Sequence, residues 1–174
     1  SDNIPHDKER IKQVFNEFQG EIMQTPPMYS ALKRNGVPLY KIARKGGCVP
    51  REQRKVIIFD IEVLKIDIPQ VLFRAVCSSG TYIRTLCHDI GQTLNCGAYL
   101  TSLQRVRNGA FHIRESVTME DFKTCTRDDF IERHLIPSKE ALNGMPEVMV
   151  NNFIEKKIRN GVQITLNDIA DIQL

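Results

Sequence analysis

Tyr82 and Arg84 lie two residues apart in Gly80-Thr81-Tyr82-Ile83-Arg84-Thr85-Leu86, a stretch that turns a strand into a helix. Upstream, Val71, Phe73, Ala75 and Cys77 alternate with Leu72, Arg74 and Val76, the period of a strand with a buried face. Downstream, Ile83, Leu86, Ile90 and Leu94 recur every three or four residues, which predicts one helical face packed on a core. Thr81 or Ser79 is placed to cap that helix. An arginine in the first turn sits at the positive end of the helix dipole, which costs roughly 0.3–1 kcal/mol unless an anion compensates it. Two readings follow: Arg84 meets a carboxylate or a phosphate, or it points into solvent or caps a neighbouring carbonyl.

A second cluster is purely electrostatic. Between Ala31 and Lys55 stand Lys33, Arg34, Lys41, Arg44, Lys45, Arg51, Arg54 and Lys55 against the single acid Glu52, although the whole chain carries only +3. So local an excess suits phosphates, or else forms a solvated face.

The elements that must position these residues can be traced along the chain. Asp2–Pro5 reads as a linker, and Asp7 caps a helix through about Gln19 whose Ile11, Val14, Phe15 and Phe18 share a face, with Gly20 ending it. Gln24-Thr25-Pro26-Pro27 is forced extended by its prolines. Met28–Lys33 follows as a short strand or loop, and Asn35-Gly36 predicts a hairpin returning into Val37. Leu39, Tyr40, Ile42 and Ala43 make a short basic helix stopped by Gly46-Gly47. Lys55–Ile68 is β-rich and turns near Asp67 or Pro69 into the strand before Gly80, an antiparallel pair. Asn95-Cys96-Gly97 stops the central helix, and Tyr99–Val106 with Ala110–Ile113 predicts a hairpin about Asn108-Gly109. Thr118 and Thr126 cap short helices over Met119–Lys123 and Arg127–His134. Pro137–Pro146 reads as a linker, and Val148–Val150, Asn151–Arg159 and Val162–Leu166 as the start of a small β-rich unit. The class is α+β, a mixed and mostly antiparallel sheet flanked by helices.

At 174 residues and 41% hydrophobic the chain can bury a real core. No run approaches the ~18 apolar residues of a membrane span, so a cytoplasmic protein without a membrane partner is expected. Cys48, Cys77, Cys87, Cys96 and Cys125 are widely spaced with no C-x-x-C pair, and read as reduced, mostly buried thiols. His88 beside Cys87 lacks further ligands at a metal-like spacing, so no metal is expected.

Three segments together resemble the bacterial tRNA pseudouridine synthase B family. They are Pro26-Pro27-Met28-Tyr29-Ser30-Ala31-Leu32-Lys33 with Leu39-Tyr40 and Ala43-Arg44, then Ser79–Leu86 with Asp89-Ile90-Gly91, then Cys96-Gly97-Ala98 through Leu103 and Arg105. Their order and spacing match as well. The resemblance implies an RNA uridine isomerase that converts a T-loop uridine of tRNA to pseudouridine without a cofactor. Such a reaction needs the base extruded, at a few kcal/mol, and held by its face, where aromatic stacking returns roughly 1–3 kcal/mol. It further implies that Tyr29 and Tyr82 face the uracil, that Tyr29 moves the C5 proton, that Leu103 lines the pocket, and that Arg84 pairs with a nucleophilic aspartate. Lys33, Lys41, Arg44, Lys45, Arg51 and Arg54 would hold the tRNA backbone.

The family's nucleophile lies in a Gly-Gly-x-Leu-Asp-Pro-like segment, and this chain has no Asp-Pro dipeptide. Asp89 is a poor substitute, since five residues along a helix it would point to a different face from Arg84. Ser79 and Gln104 stand where relatives often carry basic residues. The expectation is therefore a piece of an enzyme, inactive alone and monomeric when intact. Residues 1–136 would belong to the catalytic domain, and 137–174 would form a linker with part of a C-terminal RNA-binding domain. The competing readings are a non-catalytic module that binds or folds tRNA, and an interaction protein with no RNA ligand.

Overall fold

The computed structural model describes Pro5, residues 7–165 and Asp168. It divides into two compact units, Ser1–Arg105 and Val106–Leu174. The class is α+β, as expected.

In the first unit, helix α1 (Lys8–Glu17) starts at Asp7, whose Oδ1 accepts from the N–H groups of Glu9 (2.9 Å) and Arg10 (3.2 Å). These bonds satisfy two of the orphan donors of the first turn. Asp7→Ala is expected to lower stability by about 1 kcal/mol, read as a shift in denaturant midpoint with unchanged slope. No shift would show the cap to be idle. Ile11, Val14 and Phe15 are buried on one face.

Gly20 does more than end this helix. With φ at 103° it swings the chain directly into strand β1 (Gly20–Gln24), which the sequence reading did not foresee. β1 pairs antiparallel with β4 (Arg54–Asp67), and β4 with β5 (Gln70–Cys77), so β4 is the central strand. The ladder between β4 and β5 shifts register between Ile58 and Asp60 and again between Val63 and Lys65. The first shift explains how Ile58 and Ile61, three residues apart, are both buried: an extra residue resets the two-residue alternation of a strand. Against them pack Ile11, Val14 and Phe15 of α1 and Leu86 and Ile90 of α3 (Ile83–Thr93), with Phe15 edge-on to Phe73 at 5.0 Å between ring centres. Each such fully buried apolar side chain contributes roughly 1.5–3 kcal/mol.

Between β1 and β4 lies the basic region. Strands β2 (Lys33–Arg34) and β3 (Val37–Pro38) form the expected hairpin, with both turn residues left-handed (Asn35 φ 50°, Gly36 φ 78°). Helix α2 (Leu39–Arg44) then buries Leu39, and its first amides donate back to the carbonyls of Leu32 (2.7 Å) and Ser30 (3.1 Å).

In the second unit, β6 (Arg107–Asn108) and β7 (Phe111–His112) form a hairpin and lead into a 3-10 turn (Ile113–Glu115). Helices α4 (Met119–Thr124) and α5 (Arg127–His134) start at Thr118 and Thr126 as expected, and Phe122 and Phe130 meet edge-on. Four expectations fail, the first being that residues 148–150 and 162–165, read as parts of a β-rich unit, form no strand. Residues 99–106 form no strand, so the hairpin is shorter than read. The 137–146 linker contains helix α6 (Ser138–Ala141). Asn151–Arg159, read as β-rich, is helix α7 (Asn152–Arg159): Asn151 Oδ1 accepts from the amides of Phe153 and Ile154, and Arg159 pairs with Glu155 one turn back. Those local bonds outweigh the β preference of its isoleucines. Leu166, and Asp2–Ile4 of the expected linker, lie outside the described residues.

The cysteines also differ from expectation, for only Cys87 is buried and Cys48 is exposed. Burial pushes the Cys87 thiol up from its ordinary value. No helix among the described residues is long and apolar enough to cross a membrane.

Candidate functional site

The joint between β5 and α3 is built by a short run of local bonds. Ser78 extends the ladder beyond β5, donating its N–H to the Ile57 carbonyl (2.8 Å) while its Oγ accepts from the Ile57 N–H (2.9 Å). Gly80 takes φ 81°, which a side chain would strain. The Thr81 hydroxyl donates to the Ser78 carbonyl at 2.8 Å and closes the turn. Neither Thr81 nor Ser79 therefore caps α3. Tyr82 stands at the cap position without a side-chain bond to the helix.

What holds Tyr82 comes from the far side of the sheet. Gln24, the last residue of β1 and 1% exposed, accepts the Tyr82 N–H on its Oε1 (3.0 Å) and lies 3.4 Å by its Nε2 from the Tyr82 carbonyl. A buried carboxamide with both ends satisfied is stable where an unpaired one would not be.

Arg84 follows on the first turn of α3 and is exposed. It borders a cleft of about 640 Å³ together with Met23 and Thr25, Pro27, Arg51, and Thr85, His88 and Asp89 of the same helix. Asp89 borders the same cleft as Arg84, although it leaves α3 from a different face. At 100° per residue the two are roughly 140° apart, and the cleft is wide enough to reach both. They are not an ion pair, and among the described residues no carboxylate lies within 4.0 Å of Arg84. Burial raises the Asp89 carboxyl above its ordinary value, with the charge of His88 opposing.

The C-terminal end of α3 shapes the opposite rim. Asn95 (φ 58°) reverses the chain, and the amides of Cys96 and Gly97 donate to the Gly91 carbonyl at 3.2 and 2.9 Å. The returning chain passes so close that a Cβ on Gly91 would lie 2.2 Å from the Ala98 nitrogen. This approach carries Ala98 and Tyr99 to the cleft.

The remaining expected site residues are distributed unevenly. Tyr29 is 60% exposed and Leu103 63%, Tyr82 is half-buried, and none of the three lines the cleft. Lys33, Lys41, Arg44, Lys45 and Arg54 are exposed, with Arg44 stacked 5.4 Å from the Tyr40 ring centre. Arg51 is half-buried and donates an Nη to the Pro26 carbonyl at 3.1 Å. Lys55 pairs with Glu21 at 2.7 Å. Gln24, Thr85, His88 and Tyr99 were missed by sequence reasoning. The steps 84, 85 and 88 along α3 were the available signal for Thr85 and His88, whereas the contact of Gln24 across 58 positions left none. Among the described residues no group of three or more His, Cys, Asp or Glu side chains could hold a metal ion.

Comparison with known proteins agrees with this architecture. Residues 1–83 match the model of the TruB family pseudouridylate synthase N-terminal domain, and residues 84–143 that of the tRNA pseudouridylate synthase B C-terminal domain. The chain is 46% identical over 157 residues to the tRNA pseudouridine synthase B of Clostridium kluyveri, covering 90% of this chain and 53% of that protein. It is 42% identical over 164 residues to that of Clostridium tetani, covering 94% and 55%. Among solved structures, a chain of a Cbf5–Nop10–Gar1 complex superposes with a TM-score of 0.70 at 30% identity, covering 92% of this chain and 46% of its own. A chain of an H/ACA ribonucleoprotein bound to a substrate RNA containing 2′-deoxyuridine superposes at 0.61 with 26% identity, covering 91% and 44%. The chain spans about half the length of the curated relatives it matches. With the sheet, the joint and the cleft in place, and with two family models meeting at the joint itself, this protein belongs to the TruB family of pseudouridylate synthases.

Proposed function

We propose that this chain is part of a tRNA pseudouridine synthase that isomerises a T-loop uridine, acting as a monomer in the cytoplasm. The observation that carries the reading is Arg84, held on the first helical turn at the edge of a cleft with no carboxylate partner among the described residues. An arginine so placed is complementary to an aspartate, and a guanidinium and a carboxylate form the stronger, charge-assisted kind of hydrogen bond. The complete enzyme would bring that aspartate from sequence outside these 174 residues.

The isomerisation breaks the bond from C1′ to N1, turns the uracil, and forms the bond from C1′ to C5; the C5 proton leaves and N1 ends protonated. In this reading Arg84 orients the aspartate, Tyr82 and Tyr29 hold the extruded base by its faces, Leu103 packs against it, and Tyr29 moves the C5 proton. The exposure of Tyr29 and Leu103 is consistent with surfaces that an RNA loop covers. Residues 1–136 would serve catalysis, and 137–174 would be a linker and part of an RNA-binding domain. The relatives named tRNA pseudouridine synthase B favour an enzyme over a purely RNA-binding module.

Two measurements test the reading. Five phosphate contacts from Lys33, Lys41, Arg44, Lys45 and Arg54 would make T-arm RNA affinity fall about 100-fold between 50 and 200 mM salt. Absence of binding at low salt would sink the RNA ligand. Incubating this chain alone with unmodified T-arm RNA should leave no pseudouridine detectable by chemical labelling. If pseudouridine does form, the aspartate need not come from elsewhere.

A further inference from the structure

We infer that Gln24 is a positioning residue for the joint: its side-chain amide acts as a one-residue strand partner that sets the backbone of Tyr82 and, through it, the first turn carrying Arg84. The catalytic part of this inference rests on the function proposed above; the structural part does not.

Three observations carry it. Gln24 is the one wholly buried polar side chain of β1, 1% exposed, and its carboxamide faces both the N–H and the carbonyl of Tyr82 at 3.0 and 3.4 Å. Tyr82 has extended backbone angles (φ −101°, ψ 104°), so its peptide groups are presented as those of a strand residue are. The Tyr82 carbonyl also accepts the first bond of the helix from the Leu86 N–H at 3.0 Å, so whatever fixes this residue fixes the direction in which α3 starts. No hydroxyl or carboxylate side chain caps α3, although Asp7, Thr118, Thr126 and Asn151 cap other helices of this chain. The Gln24 amide replaces the local cap by a bond across 58 positions.

The same segment is tied on its other side. Two residues beyond Gln24, the carbonyl of buried Pro26 accepts from Arg51 at 3.1 Å. Gln24, Thr25 and Pro26 therefore link the basic region, the approach to Tyr29 and the start of α3. A side chain held within about half an ångström of its working position needs this kind of support from behind, and a misplacement of about 1 Å can cost 100-fold in rate.

Hydrogen exchange and fluorine NMR on this chain test the brace directly. In the unsubstituted chain the Tyr82 amide should be protected, since Gln24 is its acceptor. Exchange at the rate of an open loop would overturn the inference without any variant. Gln24→Met keeps the length and apolar bulk but has neither donor nor acceptor. It should raise Tyr82 amide exchange at least tenfold and shift or broaden the Tyr82 resonance of 3-fluorotyrosine-labelled protein, assigned with Tyr82→Phe. The Tyr40 resonance and the exchange of the Ile90 amide should stay as they were. An unchanged Tyr82 signal in folded Gln24→Met would also overturn it. In the complete enzyme Gln24→Met should lower kcat 10- to 100-fold with KM for T-arm RNA within twofold. A change confined to KM would refute the positioning role in catalysis, and an unsubstituted enzyme that makes no pseudouridine would refute the proposed function while leaving the brace to the NMR result.

Discussion

Replacing Arg84 by alanine in the complete enzyme is expected to reduce pseudouridine formation by roughly 10²–10³-fold, the range seen when one preorganised charge-stabilising group is removed. In these 174 residues by themselves, where no carboxylate meets it, the same substitution should raise stability or leave it unchanged. Arg84 is exposed and has no ion-pair partner among the described residues, and its charge sits at the unfavourable end of α3, so its removal relieves roughly 0.3–1 kcal/mol. Arg84→Lys keeps the charge but loses the planar fork that meets a carboxylate through two bonds, and should recover only a small part of the rate. The paired measurement is a single-turnover rate of the complete enzyme beside the denaturant midpoint of this chain alone. A variant that loses rate and stability together would make Arg84 a structural residue, and one that loses neither would remove it from the site.

Gly91→Ala offers the opposite signature, a loss of fold with consequences for the cleft. In a helix interior the exchange from glycine to alanine ordinarily stabilises by about 1 kcal/mol. Here the new methyl would meet the Ala98 nitrogen at 2.2 Å, the Gly97 carbonyl carbon at 2.4 Å and the Ala98 Cβ at 2.6 Å. Two of these atoms are backbone, so the turn must retreat, and the bonds from Cys96 and Gly97 to the Gly91 carbonyl are disrupted with it. The steric cost outweighs propensity, and a net loss of about 2–4 kcal/mol is expected. Thermal unfolding checks it: a higher Tm for Gly91→Ala would show that the approach is not tight. Because Ala98 and Tyr99 border the cleft with Arg84, RNA affinity should fall even under conditions where the variant remains folded.

Periodicity and caps made much of the scaffold legible in the sequence. The face of Ile11, Val14 and Phe15 behind Asp7, the Asn35-Gly36 hairpin, the antiparallel pair before Gly80 and the helix carrying Leu86 and Ile90 all depend on neighbours a few residues apart, and all form where their patterns place them. The misreadings have the same root. Gly20–Gln24 is too short to show an alternation, and becomes a strand because β4 lies beside it. Asn151–Arg159 looked β-rich by composition, while the Asn151 cap and the pairing of Glu155 with Arg159 decide for helix. The cap of α3 was assigned to hydroxyls that the turn itself uses.

The joint, the charge of Arg84 and the family were thus determined by sequence alone, because each is a matter of residue type and local spacing. Tertiary structure decided which groups meet there. It brought Gln24 to Tyr82, set Asp89 and Arg84 around one cleft without pairing them, drew the turn after α3 against Gly91, and left Tyr29 and Leu103 on the surface. These are contacts between segments tens of residues apart, fixed by the register of β1 on β4 and the packing of α3 on the sheet, and no local pattern of residues encodes them.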